Sequence, residues 1–220
     1  FDVATRVPLI VKVPWLHATS AGREELAMVE QVDVLPTVVS LVLGFSAIPN
    51  CTQGRDLSAL FRGRKVPSLE RGWALTQYMR CAQPGDASPW SNPCSLVSSD
   101  VYSLMGYSLR TPQWRYTEWR KWNQTQADWS AAGLNATELY SHRGDDGSDP
   151  GFDMFENDNV ASVPAFAGVV RKLSAVLRQA AAFPSSFPNE CRPPDLQLPA
   201  KPPQPSKAPH RGGKGKKKGK

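Results

Sequence analysis

Residues 104–122 read LMGYSLRTPQWRYTEWRKW, and this stretch decides the architecture of the second half of the chain. Tyr107 and Leu109 alternate with polar neighbours, and Trp114 and Tyr116 do the same after the turn sequence Thr111-Pro112-Gln113. Successive side chains of a strand point to opposite faces, so this period of two is typical of a sheet with one buried face. The segment therefore predicts an antiparallel hairpin.

Upstream of the hairpin, the apolar run VPLIVKV at residues 7–13 predicts a strand buried on both faces of a sheet. Asp33 is predicted to cap a helix that begins at Val34, carries an apolar stripe against the sheet and ends at Gly44. Residues 73–79, WALTQYM, predict a further strand. These elements are typical of an α/β sheet.

Downstream of the hairpin, residues 138–140 predict a short strand, and Ser162 is predicted to cap a final helix with Pro164 in its first turn. The apolar stripe of that helix recurs at helical spacing at Phe166, Val169, Val170, Leu173, Val176, Leu177 and Ala180. Residues 183–220 are rich in Pro, Ser and Lys, which predicts a disordered tail.

The order of elements predicts three regions. Residues 1–80 are expected to be the end of an α/β domain, and residues 81–182 a small α+β subdomain with the hairpin and the terminal helix. Residues 183–220 follow as the Pro- and Lys-rich tail. The chain begins at Phe1, without Met and close to a core-like strand, so we expect an upstream part to be missing.

The formal net charge of +6 belongs to the tail. Eight basic residues and no acidic ones follow residue 200: Lys201, Lys207, Arg211, Lys214, Lys216, Lys217, Lys218 and Lys220. The first 200 residues then hold 26 − 8 = 18 basic and 20 acidic residues, a net charge of −2. Contact of the tail with polyanions is one interpretation, and a solvated terminus is the favoured one. No run of about 18 apolar residues predicts a membrane span.

Four cysteines and three glycosylation sequons favour the secretory pathway, with a lysosomal or extracellular destination. Cys81 and Cys94 bracket a polar loop that a disulfide could close. The sequons begin at Asn50, Asn123 and Asn135.

Gln77, Tyr78 and Arg80 end a predicted strand, where ligands of open α/β sheets gather. They are candidates for a substrate contact, in which Arg80 would meet a carboxylate or sulfate, although an ordinary loop arginine is the favoured interpretation of Arg80. The hairpin also interleaves aromatic and basic side chains, for which structural packing is favoured over polyanion binding. These side chains are Trp114, Arg115, Tyr116, Trp119, Arg120, Lys121 and Trp122.

The histidines and one acidic loop are predicted to be solvated rather than functional. The histidines are His17, His142 and His210, and none has a plausible Ser or Cys partner for catalysis. The acidic loop offers Asp145, Asp146, Asp149 and Asp153, whose spacing differs from that of an EF-hand calcium site.

Five segments together resemble the sulfatase family, in the family's order. They are FDVATRVPLI at 1–10, EQVDVLPTVVSLV at 30–42, CTQGRDLSAL at 51–60, MGYSLRTPQWRYTEW at 105–119 and ELY at 138–140. The resemblance covers roughly residues 1–180, and the segment at 105–119 is its most specific element. It implies the end of an alkaline-phosphatase-like sulfatase sheet followed by the small subdomain.

The resemblance also implies a chemistry that this chain does not itself carry. Sulfatases attack sulfur with a formylglycine made from the cysteine of a C-x-P-x-R motif, and a calcium ion binds the sulfate oxygens. None of Cys51, Cys81, Cys94 and Cys191 begins that motif. We therefore assign no catalytic or metal-binding residue here, and expect no cofactor in this chain but calcium in the full-length enzyme.

Two hypotheses follow. The first is a C-terminal fragment of a sulfuric ester hydrolase, inactive alone, with the upstream catalytic portion and a sulfated glycan as its partners. The second is a non-catalytic module that binds polyanions or glycans.

Overall fold

The computed structural model describes residues 1–66, 72–81, 102–122, 133–146 and 154–181. An antiparallel sheet with strand order β1-β2-β3-β4 organises the second half. Its strands are β1 (Ala74–Cys81), β2 (Tyr102–Arg110), β3 (Trp114–Lys121) and β4 (Leu134–Ser141). The α-helices of the described residues are α1 (Asp2–Thr5), α2 (His17–Ser20), α3 (Val34–Leu43), α4 (Ser58–Phe61) and α5 (Ala167–Ala181).

The predicted hairpin is confirmed as β2 and β3. Leu109 pairs with Tyr116, and Thr111 and Trp114 exchange hydrogen bonds across the loop that joins the strands. One face of the sheet is apolar, as the alternation predicted. Its most deeply buried side chains are Met105, Tyr107, Leu109, Tyr116 and Leu139.

Helix α5 covers this apolar face. Leu173 and Leu177 are buried against the sheet and the other residues of the predicted stripe are partly buried there, which confirms the stripe. Ala181, which lies outside that prediction, is buried as well. The predicted cap is wrong, because the chain enters through a 3₁₀ turn at Pro164–Phe166 whose N-cap is Val163, without a side-chain cap bond. The apolar face of the helix thus sets its position, whatever the residue at its start.

A buried carboxylate ties helix α5 to the sheet from within the core. The carboxylate of Glu118 accepts hydrogen bonds from the Ser174 hydroxyl at 2.5 Å, the Tyr116 hydroxyl at 2.9 Å and Nε of Arg120 at 2.9 Å. Burial by itself would raise the pKa of Glu118, but these donors hold it below its ordinary value. The charge is therefore kept and paired inside the core.

The predicted strand at residues 7–13 is wrong. Val7 is 70% exposed, Leu9 53% and Ile10 91%, and residues 7–13 contain no strand. A strand buried on both faces needs neighbours for its backbone hydrogen bonds, and none of the described strands pairs with this segment. Its apolar composition therefore did not suffice to form sheet.

Helix α3 has the predicted bounds, and Gly44 ends it with φ 96°. The predicted role of Asp33 as a capping side chain is wrong. Its carboxylate instead accepts the backbone N–H groups of Arg55 at 2.7 Å and Glu30 at 2.9 Å, and pairs with the Arg55 guanidinium at 2.5 Å. Asp33 thus joins two loops to the start of the helix.

The buried side of α3 is also not the predicted apolar stripe. Leu35, Val38 and Val42 are about half exposed, whereas Thr37 and Ser40 are buried. The Thr37 hydroxyl donates to the Asp33 carbonyl at 2.6 Å and accepts the Leu57 N–H at 2.9 Å. Polar contacts with the loop before α4, rather than apolar packing on the sheet, hold this helix.

Candidate functional site

The face of the sheet opposite α5 carries the polar side chains, arranged in rows by the strand register. One end of this polar face is the row Arg110–Arg115 of the hairpin, and the middle row is Ser108–Thr117. The far end includes Tyr78 and the exposed Arg80 of β1. The two ends differ, because the first is closed by other segments and the second is open.

Helix α1 closes the first end through a buried carboxylate. Both Asp2 oxygens accept from the Arg110 guanidinium, at 3.1–3.2 Å, and one pairs with Arg115. Burial would raise the pKa of Asp2, but the hydrogen bonds and charge of Arg110, together with the charge of Arg115, lower it overall. Residues more than 100 positions apart in sequence are thereby joined by charge.

His142 lies in the centre of this cluster, on the loop after β4. Its Nδ1 lies 2.9 Å from Oδ2 of Asp145, and its Nε2 lies 3.1 Å from Oε1 of Glu156. Phe155 stacks on the ring, with 5.8 Å between centroids. The prediction of a solvated surface histidine is wrong, since 1% of His142 is exposed.

Glu156 connects helix α1 to the sheet within this cluster. It accepts the backbone N–H of Asp2 at 2.6 Å and pairs with Arg115. Burial opposes ionisation, but the hydrogen bond from His142 and the Arg115 guanidinium together lower the pKa of Glu156 to about 2. The group is therefore an anion at every ordinary pH.

The arrangement fits a balanced charge cluster better than a metal centre. Asp2, His142 and Glu156 place one possible ligand atom each within 4.8 Å of the others. Their oxygens, however, already accept from guanidiniums, and a cation there would meet the positive charges of Arg110 and Arg115. These residues do not fit a bound calcium ion.

The acidic loop after His142 is only partly the solvated loop that the sequence predicted. The side chain of Asp145 is buried and pairs with Arg6 at 2.9 Å and with Arg110 at 3.1 Å, so the prediction is wrong for this residue. Asp146 is exposed. Asp149 and Asp153 lie outside the described residues, as does His210, and the side chain of His17 is not described.

The structure separates the three predicted substrate contacts on β1. Tyr78 and Arg80 lie on the polar face, and the guanidinium carbon of Arg80 lies 5.5 Å from the centroid of the Tyr78 ring and 5.3 Å from that of Trp119. Gln77 points to the other face, where its Nε2 donates to Sδ of Met105 at 3.2 Å. Gln77 therefore shares no contact surface with Tyr78 and Arg80.

Other predicted hairpin residues divide as the alternation requires. Trp114, Tyr116, Arg115 and Arg120 are buried, which agrees with a packing role, whereas Lys121 is exposed. The sequence pattern missed that both buried arginines have carboxylate partners. A buried arginine requires an acidic partner, which is Glu118 of the same strand for Arg120 and Asp2 of α1 for Arg115.

Cys51 and Cys81 each take part in a disulfide. The pairing of Cys81 with Cys94 stays a prediction, because Cys94 lies outside the described residues. Asn50 and Asn135 are exposed, as a glycosylation site requires, and Asn123 lies outside the described residues. Glycosylation itself stays a prediction.

Two curated relatives share sequence with the chain. Iduronate 2-sulfatase of Homo sapiens is 29% identical, and the alignment covers 64% of this chain and 32% of that protein. Iduronate 2-sulfatase of Mus musculus is 28% identical over 64% of this chain and 31% of that protein. The chain thus spans about a third of the length of the curated relatives that it matches.

The other comparisons add less. A solved candidate sulfatase from Bacteroides thetaiotaomicron matches 67% of this chain and 23% of that chain, at 20% identity and a TM-score of 0.43, which is too low to support an argument. No family model matches the chain. The sequence likeness to the two iduronate 2-sulfatases establishes that this chain resembles the sulfatase family.

Proposed function

We propose that the chain is a C-terminal fragment of a sulfuric ester hydrolase that removes sulfate from sulfated glycans. The observation that carries the proposal is the likeness to two iduronate 2-sulfatases over 64% of the chain. No C-x-P-x-R motif occurs in the sequence, and the proposal therefore assigns the nucleophile to an upstream catalytic portion of the same protein.

The role of this chain within the enzyme would be structural and substrate-facing. The buried cluster binds α1 to β2 and β3, so the first residues of the chain are held against the sheet. The open end of the polar face, with Tyr78 and Arg80, remains accessible to a glycan. Calcium, which sulfatase chemistry requires, would be bound by upstream residues, because Asp2, His142 and Glu156 do not fit it.

A secretory location, lysosomal or extracellular, accompanies this proposal. Disulfide-bonded Cys51 and Cys81 are typical of an oxidising compartment. Within the described residues, no helix is long and apolar enough to cross a membrane.

Turnover of 4-nitrophenyl sulfate tests the proposal directly. The chain alone should show none, with or without calcium, because it lacks the nucleophile. The product of the complete gene should hydrolyse the ester and lose this activity when a chelator removes calcium. Turnover by the isolated chain would refute the claim that it lacks the nucleophile. Inactivity of the complete gene product would refute the proposed hydrolase activity.

A non-catalytic polyanion- or glycan-binding module is the second candidate. The exposed Arg80 and Lys121, together with the eight basic residues of the tail, favour it. Heparin affinity of the full chain and of a chain lacking residues 201–220 separates the two sources of charge. Affinity that collapses on deletion belongs to the tail, and affinity that survives belongs to the sheet.

A further inference from the structure

The ring of Trp119 lies flat across the open end of the polar face. Gly106 stands opposite Trp119 in the strand register, with Tyr78 on its other side. A Cβ at Gly106 would lie 2.6 Å from the Trp119 ring, closer than van der Waals contact allows, so the glycine makes room for the ring. The indole Nε1–H donates to Oε1 of Glu138 at 3.0 Å, which fixes the other edge of the ring.

Arg80 is held in place by these aromatic rings. Its guanidinium carbon lies within cation–π distance of both rings, 5.5 Å from the centroid of Tyr78 and 5.3 Å from that of Trp119. A cation–π contact does not use the N–H groups as hydrogen-bond donors to an oxygen, so they remain for an acceptor. Among the described residues, no carboxylate pairs with Arg80. The group is thus a pre-oriented donor for an anion.

A second cation, Lys121, stands in the same row of the sheet as Arg80. Lys121 of β3 and Arg80 of β1 both pair with Leu104 of β2, one from each side. Two strand spacings place their backbones about 10 Å apart. Lys121 is exposed and, within the described residues, forms no ion pair. Two cations at that separation suit two anionic groups on one ligand.

Toward the buried cluster, most hydroxyls of the polar face are engaged with other side chains, since Thr117 is 5% exposed and Ser108 accepts from Thr117 and Arg115. The next row toward the buried cluster carries the hydroxyls of Thr76, Ser108 and Thr117, and the Thr117 hydroxyl donates to that of Ser108 at 2.9 Å. Glu138 adds a carboxylate beside the Trp119 ring. Arg80 and Lys121 thus contribute two positive charges, and Glu138 contributes one negative charge. A ligand with two anionic groups complements the exposed cations of this surface.

We propose that Tyr78, Arg80, Trp119 and Lys121 form a binding site for an acidic saccharide, whose carboxylate or sulfate groups bind Arg80 and Lys121. The choice of a saccharide over another polyanion rests on the proposed function, and the site itself rests on the geometry above. Tyr78 and Trp119 position the guanidinium, and Arg80 makes the principal contact.

Titration of the full chain with a sulfated, uronate-containing disaccharide prepared from heparin tests the site, by calorimetry at physiological salt. Arg80→Ala should weaken binding at least tenfold and Lys121→Ala about threefold, by loss of charge-assisted hydrogen bonds. Arg80→Lys should bind weakly, because it keeps the charge but loses the planar fork. Arg143→Ala is the matched control, since Arg143 also stacks on a tryptophan, Trp114, at 5.2 Å. It should change the Kd less than about twofold.

Titrations with related disaccharides identify which anionic group of the ligand the site recognises. If an unsulfated uronate disaccharide still binds, the carboxylate is the group that the site recognises. If it no longer binds, the sulfate is the group recognised. A neutral disaccharide should not bind. The ¹H–¹⁵N signal of the Trp119 indole, assigned by its loss in Trp119→Phe, should shift on titration in the intact chain.

The proposal is overturned if the intact chain does not bind the disaccharide, if Arg80→Ala binds within twofold of it, or if Arg143→Ala weakens binding equally. Whether the complete gene product hydrolyses 4-nitrophenyl sulfate does not depend on the outcome of the binding titration. Binding without turnover would contradict the hydrolase and leave the site, whereas turnover with unchanged binding in Arg80→Ala would contradict the site alone.

Discussion

Residues 1–66 and the sheet with helix α5 are stabilised in different ways. In the first region the most buried side chains include Asp2, Asp33 and Thr37, and large apolar side chains such as Ile10 are exposed. In the second region Leu109, Leu139 and Leu177 are fully buried in one core. Apolar residues are buried only where a second layer covers them, and elsewhere directional polar bonds must determine the conformation.

The joint between the two regions is the buried charge cluster. Asp2 belongs to the first region, and its partners Arg110 and Arg115 belong to the sheet. A buried ion pair contributes little net stability when intact, but removal of one partner leaves buried charges uncompensated. The joint is therefore the most sensitive point of the molecule.

Asp2→Ala should have the largest effect, because it leaves the two guanidiniums of Arg110 and Arg115 short of a carboxylate. We expect the free energy of unfolding to fall by about 3–5 kcal/mol, measured by urea denaturation. Val3→Ala, at a 60% exposed position of the same helix, should cost less than about 0.5 kcal/mol. Equal effects of the two variants would show that the cluster does not join the regions.

Leu177→Ala should have the next largest effect, since the side chain is fully buried between α5 and the sheet. We expect the free energy of unfolding to fall by about 3 kcal/mol, because apolar atoms are no longer buried and a cavity is left behind. Val38→Ala on the 47% exposed face of α3 should cost less than about 0.5 kcal/mol. A comparable loss at Val38 would indicate that the apolar face of α3 is covered in solution.

Acid should weaken the joint through Glu156. Its pKa falls from an ordinary 4.5 to about 2 on folding, so its stabilisation is complete above pH 4.5 and is lost as the pH falls toward 2. At about 1.4 kcal/mol per pKa unit, a shift from 4.5 to about 2 corresponds to a stabilisation of about 3 kcal/mol. The unfolding free energies of the parent chain and Glu156→Gln should converge between pH 4.5 and pH 2, whereas Glu24→Gln, at an exposed site, should follow the parent. A difference between the unfolding free energies of the parent chain and Glu156→Gln that stays constant over this pH range would contradict this account.

Thr37→Val should have the smallest effect of these changes. It removes the acceptor of the buried Leu57 N–H while keeping the shape of the side chain. We expect a loss of about 1–2 kcal/mol in thermal or chemical unfolding. Ser46→Ala, which removes a hydroxyl at an exposed position of the same region, is the control. No difference between the two would mean that the polar bonds of the first region are not what holds it.

Prediction from sequence succeeded where a pattern was local and its partner close by. The period of two in the hairpin and the helical stripe of α5 both describe faces that meet each other. It failed at residues 7–13, where an apolar run was interpreted as strand without evidence of pairing strands. It also failed at His142, whose partners Arg110 and Glu156 are distant in sequence or separated by a loop.

The candidate site shows the same limit. Arg80 was named from its position near a strand end, but Trp119 and Lys121 were noted only as part of an aromatic and basic pattern. Gln77, next to Tyr78 in sequence, lies on the opposite face of the sheet. Which of these residues share a surface depends on strand order and register, and one sequence does not report either.

The sequence by itself determined the resemblance to sulfatases, the absence of a C-x-P-x-R nucleophile, the hairpin and the terminal helix, because motifs and short-range periodicity are properties of neighbouring residues. Only the tertiary structure decided that Asp2 pairs with Arg110 and Arg115, and that Trp119 lies over Gly106 beside Arg80. These contacts join residues 13 to 113 positions apart, and they exist because the register of an antiparallel sheet and the burial of charge leave few other arrangements.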